Sequence, residues 1–291
     1  MRDEISGMLK KSDKPLLTPL HDRLVSLDAL RGLAVLGMLL INIQGFSMIS
    51  TELIYPNTSP DLTGLNKAIW FFSYIFADQK FLIIFSCLFG ASIILFTSRI
   101  DRLGGQSLRL HYRRSFWLLL IGLVHGYFFW YGDILVPYAL CSLFVVYMRK
   151  QTAPILLISG LLLIAVPQVL YTILGYDWIS LIYKWLTVMH IDFSSFTHLF
   201  EQELTLMRGS WMDQMPLRFA MTLNGETYTF LIYSLWRFGG LMLIGMGLFK
   251  WQVFSGSKLT AFTYLLYRNQ VNPPVPPAFL FSLSTRILIS D

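Results

Sequence analysis

Residues 26–43 read SLDALRGLAVLGMLLINI. Asp28 and Arg31 stand at the entrance of an apolar run that opens at Gly32, and Asn42 lies eleven residues beyond Arg31. A helix brings Asp28 and Arg31 onto neighbouring turns, where they can pair, with Ser26 or Asp28 as a cap. Such a pair marks the edge of a membrane span, and an arginine at a helix start is equally a serviceable anion site. Eleven residues are three helical turns, which puts Asn42 on nearly the same face as Arg31 and roughly 16 Å deeper.

The remainder of the chain extends this pattern. Of 291 residues, 55% are hydrophobic and 14% charged, and the mean hydropathy is +0.56. Several apolar runs approach the ~20 residues that cross a bilayer core as a helix. The expected fold is all-α, a polytopic membrane helix bundle of about seven transmembrane helices plus a short interfacial or re-entrant helix. Spans are expected at 32–49, 81–97, 115–131, 134–148, 154–174, 218–235 and 238–254. The run 68–77 is the short extra helix, separated from the next span by Asp78-Gln79-Lys80. Between 115–131 and 134–148 only Tyr131-Gly132-Asp133 intervene, so a tight hairpin is predicted, with Asp133 capping its second helix.

Three regions follow: a polar arm, 1–24; a membrane domain, 25–256, with an outer loop at 175–216; and an atypical Pro-rich tail, 257–291. The arm lacks the apolar core of a secretory signal. The outer loop carries Asp177, Asp192, Glu201, Glu203 and Asp213 and has room for an amphipathic helix or two. In the tail, Pro273, Pro274, Pro276 and Pro277 forbid a regular helix, and it reads as truncated or frameshifted. Arg99, Arg102, Arg109, Arg113, Arg114, Arg149 and Lys150 fall in loops on the same side as the basic N-terminal arm, which places the N-terminus in the cytosol. This bias explains the net charge of +6 without nucleic acid as a partner. Cys87 and Cys141 lie in apolar runs and read as packing residues, and the five scattered histidines suggest no metal site.

Ionisable groups inside a membrane are costly, so they are the natural candidates for function. His125 lies eleven residues after Arg114, as Asn42 does after Arg31. If both arginines mark one interface, Asn42 and His125 reach a similar depth. Glu226, eight residues after Arg218, approaches from the opposite side by roughly 12 Å. Asn42, His125 and Glu226 are therefore the candidate catalytic groups, with Gly122 and Gly126 allowing helices to close around His125. Asp28, Arg31, Asp78, Lys80, Asp133 and Arg237 are candidate substrate-binding groups. Each also has a structural reading, as helix edge, cap or buried hydrogen-bonding group. His125 and Asp133, about 80° apart on one continuous helix, are not expected to form a simple pair, and Asp78 and Lys80, two apart, do not face each other. The arginines of 98–114 obey the positive-inside rule and equally suit the phosphates of a donor such as acyl-CoA.

RLVSLDALRGLAVLGMLLINI, FADQKFLIIFSCLFGASIILF, GLVHGYFFWYGDILVPYAL, RGSWMDQMPLR and WRFGGLMLIGMGLFKW together resemble the YeiB-like bacterial inner-membrane proteins, also called the domain of unknown function 418 family. The likeness runs from about Arg23 to Gly256 and implies a multi-pass protein of the bacterial cytoplasmic (inner) membrane. Family members are sometimes described as involved in transport. The first motif is also similar to the first helix of the wider transmembrane acyltransferases, which include the acyltransferase type 3 proteins and the lysosomal heparan-glucosaminide acetyltransferase. Asp28, Arg31, Gly32 and Asn42 carry that likeness. The type 3 proteins place a histidine where this chain has Asn42, while the heparan-glucosaminide enzyme has asparagine there and a histidine in the following loop. No histidine occurs here between 42 and 67. The YeiB-like proteins also continue with further hydrophobic helices after the GMGLFKW segment.

The resemblance implies transfer of an acyl group from a cytosolic thioester, with acyl-CoA as donor substrate and no bound cofactor, to a small-molecule or glycan acceptor outside. The alternatives are a transporter of a small solute, with Asp78, Lys80 and Glu226 on the route, and an inactive truncated family member.

Overall fold

The computed structural model describes residues 25–47, 63–189, 199 and 201–255. The N-terminal arm, Asp192 and the Pro-rich tail lie outside the described residues.

The described chain is helical throughout. Helix α1 spans Val25–Ser47, α2 Gly64–Phe76, α3 Lys80–Arg102 and α4 Ser107–Val124, the last continuing into a π-helical turn, His125–Phe129. Helix α5 (Leu135–Val145) tightens into a 3-10 turn, Val146–Lys150, before α6 (Ala153–Leu174). The segment 175–216 holds α7 (Asp177–Val188) and the short α8 (Glu203–Met207). Helix α9 (Met215–Asn224), a π-helical stretch (Gly225–Ser234) and α10 (Leu235–Lys250) follow one another without a break.

Apolar side chains along α1 such as Leu33, Leu36, Leu39 and Leu40 face outward and are more than half exposed, as on a helix that lies in hydrocarbon. The chain is an integral membrane protein. Among the described residues, four helical segments are long and apolar enough to cross a bilayer: 27–46, 64–102, 153–174 and 215–250. Seven separate crossings are not confirmed. The expected spans 218–235 and 238–254 are one helix of 36 residues, about 54 Å at the α-helical rise. Only Trp236 and Arg237 lie between them and the helix runs through both, while Gly240 within it is pressed on the Gly160 carbonyl of α6. Helices α4 and α5 fall short for other reasons. The first two turns of α4 carry Arg109, His111, Arg113 and Arg114, and α5 has 11 residues. The break at Asp78 is found as expected, with Gln79 in the left-handed region at φ 62°.

The core forms where α10 lies against α3 and α6, with α5 alongside. Ile93, Tyr138, Leu156, Met242 and Met246 are buried there. Two glycines set the closest approach. A Cβ on Gly90 would stand 2.0 Å from the Met242 carbonyl oxygen, and one on Gly245 would stand 1.9 Å from that of Cys87. Here α3 and α10 touch backbone to backbone, as small residues permit in membranes.

The ends of the bundle differ in charge. Arg149 reaches Asp101 at 3.8 Å and the Ser107 hydroxyl at 3.2 Å, and Lys250 donates to the Gln151 carbonyl. These contacts tie together the ends of α3, α5 and α10 and the starts of α4 and α6. The opposite end holds the turn between α4 and α5.

Candidate functional site

Helix α1 supplies the first wall of a cavity of about 480 Å³ that Asn42, Asp78, His125 and Asp133 all line. Its glycines explain the fit. Gly37 gives way to the Phe81 ring and Gly45 to Trp130, so α3 and the α4–α5 turn settle against one face of α1. The Trp130 ring closes that end on Phe46, with centroids 4.0 Å apart.

His125 begins the π-helical turn, and the chain leaves the helix at Trp130, whose amide donates to the His125 carbonyl at 2.8 Å. This exit corrects the expectation that His125 and Asp133 do not pair. The two residues do not share one helix, so the angle between their positions on a helix is irrelevant. His125 Nδ1 lies 2.8 Å from Asp133 Oδ1, and Asp133 Oδ2 accepts the Val136 amide at 2.8 Å, capping α5 as expected. The Asp133 side chain is 2% exposed and that of His125 is 42% exposed. A buried carboxylate of this kind fixes Nδ1 as the protonated nitrogen and leaves Nε2 as a base. Burial pushes the Asp133 carboxyl above its ordinary range, against the pull of the Val136 amide and of His125.

Glu226 abuts this pair from the far side of Gly126. A Cβ on Gly126 would lie 2.9 Å from Thr222, 3.2 Å from Glu226 Oε1 and 3.5 Å from Asp133. The Tyr127 hydroxyl donates to the Glu226 carboxylate, while Oε1 is buried with no hydrogen-bond partner among the described residues. His125 and Glu226 thus both stand at the start of π-helical stretches, which concentrate at functional sites in proteins generally.

The RGSWMDQMPLR segment clamps this end of α4. Trp211 Nε1 donates to the Phe128 carbonyl at 3.1 Å, Arg218 to that of Phe129, and Thr222 to that of Gly126 at 2.8 Å. Asp213 in turn accepts the Ser210 amide and hydroxyl at 2.8 and 2.7 Å, which hold its carboxyl below the usual range.

The other candidates lie elsewhere. Arg31 pairs with Asp28 at 2.9 Å as expected and lines, with Arg99 and Arg114, a separate crevice of about 410 Å³. Lys80 turns back to the Tyr74 carbonyl at 3.0 Å. Arg237 lines a third cavity. Leu135 is the one described residue that lines both the His125 cavity and the arginine crevice. Sequence reasoning missed Tyr127 and Trp130 as parts of these sites, while Arg99 and Arg114 belong to the 98–114 arginines it had set aside for a donor's phosphates. Tyr127 and Trp130 sit inside the GLVHGYFFWYGD motif, the one signal that pointed toward them.

The chain is similar in sequence to proteins named as uncharacterized. The chain is 36% identical over 122 residues to the uncharacterized protein YeiB of Escherichia coli, covering 42% of this chain and 30% of YeiB. Over that stretch the chain is similar to YeiB. It is also 31% identical over 180 residues to the uncharacterized protein YxaH of Bacillus subtilis, covering 57% of this chain and 44% of that protein. A third relative, an uncharacterized 39.9 kDa protein in an amylase 3' region of Bacillus acidopullulyticus, is 33% identical over 145 residues, 50% of this chain and 39% of its own length. The chain therefore spans less than half the length of these YeiB-like relatives. No family model matches it, and no solved structure does.

Proposed function

We propose that this YeiB-like chain takes part in acyl transfer across the bacterial inner membrane. The observation that carries this reading is His125, oriented by the buried Asp133, on the wall of a cavity that shares one lining residue, Leu135, with an arginine-lined crevice. The arginine end faces the cytosol by the positive-inside rule, with the N-terminus on the same side. Arg31, Arg99 and Arg114 take the phosphates of a thioester donor such as acyl-CoA. The acceptor, a small molecule or glycan bearing a hydroxyl, enters the His125 cavity beside Asn42 and Asp78. His125 Nε2 takes the hydroxyl proton as the oxygen attacks the acyl carbon, the carbon–sulfur bond breaks, and the proton passes to the departing thiolate. General-base assistance of this kind is worth roughly 10²- to 10⁴-fold in rate.

Inverted vesicles holding this chain, and in parallel full-length E. coli YeiB, supplied with labelled acyl-CoA and glycan acceptors, test the proposal. Donor-dependent product that disappears in H125A supports it, and no product from either protein sinks it. A transporter is the second reading, favoured by Asp78 and His125 lining the same cavity. Solute uptake that falls in D78N and E226Q, without acylated product, selects that reading instead.

A further inference from the structure

The third cavity, of about 550 Å³, lies between α3, α6, α7 and the π-helical stretch with α10, and shares no lining residue with the other two. Its walls are apolar and aromatic, with Ile83, Ile164 and Leu241 among them. Gln168, Tyr171 and Tyr233 also line it, and two further polar groups, Arg237 and Trp178, break that surface. Arg237 enters it from the middle of the 36-residue helix. Its guanidinium stacks 5.3 Å from the Tyr233 ring centroid, feels the attraction of Asp78, and forms no ion pair among the described residues. An aromatic face steadies a cation but does not neutralise it. Trp178, in the first turn of α7, is 7% exposed and lines the same cavity, and its Nε1–H is buried with no acceptor among the described residues. An indole N–H can only donate.

A buried donor left without an acceptor costs about 1–3 kcal/mol, and an arginine inside the membrane costs more unless something compensates it. Both deficits have the same chemical remedy, an oxyanion, and the remaining wall asks for hydrocarbon. We propose that this cavity binds one anionic amphiphile, whose oxyanion head is taken by Arg237 and the Trp178 N–H and whose apolar chain lies along Ile83, Ile164 and Leu241. The site is independent of the acyl-transfer reading, since neither His125 nor the arginine crevice contributes to it.

The head is the phosphate of a bilayer phospholipid or the carboxylate of a free fatty acid. Delipidated full-length chain in detergent, titrated with phosphatidylglycerol, palmitate, phosphatidylethanolamine and monoolein, distinguishes them, with thermal midpoint and bound mass by native mass spectrometry as readouts. Saturable one-to-one binding of phosphatidylglycerol or palmitate is expected, whichever binds naming the source, with no comparable effect of the zwitterionic and neutral amphiphiles. R237Q weakens it by roughly 10-fold or more and W178F by a few-fold, while R237K restores part of the affinity. Equal binding of all four amphiphiles overturns the proposal, as does undiminished binding by R237Q. Should R237Q not accumulate, undiminished binding by W178F overturns it. No thioester is present in these titrations, so their outcome stands apart from that of the vesicle assay.

Discussion

Asp133 holds His125 and the start of α5 at once, one carboxylate oxygen 2.8 Å from the imidazole Nδ1 and the other 2.8 Å from the Val136 amide. The cap and the imidazole's support are thereby one unit: a shift of the turn also moves the carboxylate that holds His125.

The two duties separate by mutation. D133N retains a good cap but replaces the charged partner of His125, so acyl transfer should fall by roughly 10²-fold or more while the thermal midpoint barely moves. D133A loses the cap as well and should be less stable by about 1 kcal/mol. Vesicle transfer rates set against melting curves in detergent check both.

The backbone contact between α3 and α10 has no room for a methyl group. G90A and G245A should lower stability by on the order of 3 kcal/mol or more and reduce accumulation in the membrane. G32A is the control, because a Cβ there meets nothing within 4 Å among the described residues. Comparable yields for all three variants would contradict the packing described for these helices.

Arg31 and Arg114 stand close enough to repel one another, and both line the same crevice. R31Q and R114Q should each raise the KM for the thioester donor by roughly 10-fold, the range expected for one lost charge-assisted hydrogen bond, and leave kcat nearly unchanged. The KM of the unaltered chain should rise with salt, as screening weakens the attraction.

The outer loop has its own dependence on pH. Asp213 is held below the ordinary carboxylate range by the Ser210 hydroxyl and amide. Its folded value is thus lower than its unfolded one, so the contact stabilises the loop fully above the unfolded pKa and loses that effect as pH falls through the folded value. In S210A the Asp213 titration should move up toward the ordinary range, followed through its carboxyl carbon by NMR in aspartate-labelled protein. A titration unmoved by S210A would contradict the assignment of Ser210 as the cause.

Much of this was legible because arginines mark depth. Counting eleven residues from Arg31 and from Arg114 placed Asn42 and His125 at one level, and the structure puts the arginines on one crevice and the polar pair on one cavity. The break at Asp78, the cap at Asp133 and the outer-loop helices followed from local chemistry. What failed needed knowledge of where helices truly end. The His125–Asp133 pair was hidden because an ordinary helix through residue 131 turns the two apart, and the sequence does not announce a π-helical turn. The unbroken run through Leu235 was hidden because hydropathy sees Arg237 as an interruption, whereas the backbone passes straight through it. Trp178 and Arg237 meet only in three dimensions, fifty-nine positions apart.

Leu135 has a consequence for the cell as a whole. Under the proposed acyl transfer an acyl group passes from one face of an energised membrane to the other and protons must not follow, and Leu135 is the described residue on which both chambers border. On that reading, trimming Leu135 to glycine should widen the path between the chambers and raise the proton leak of vesicles that hold the chain.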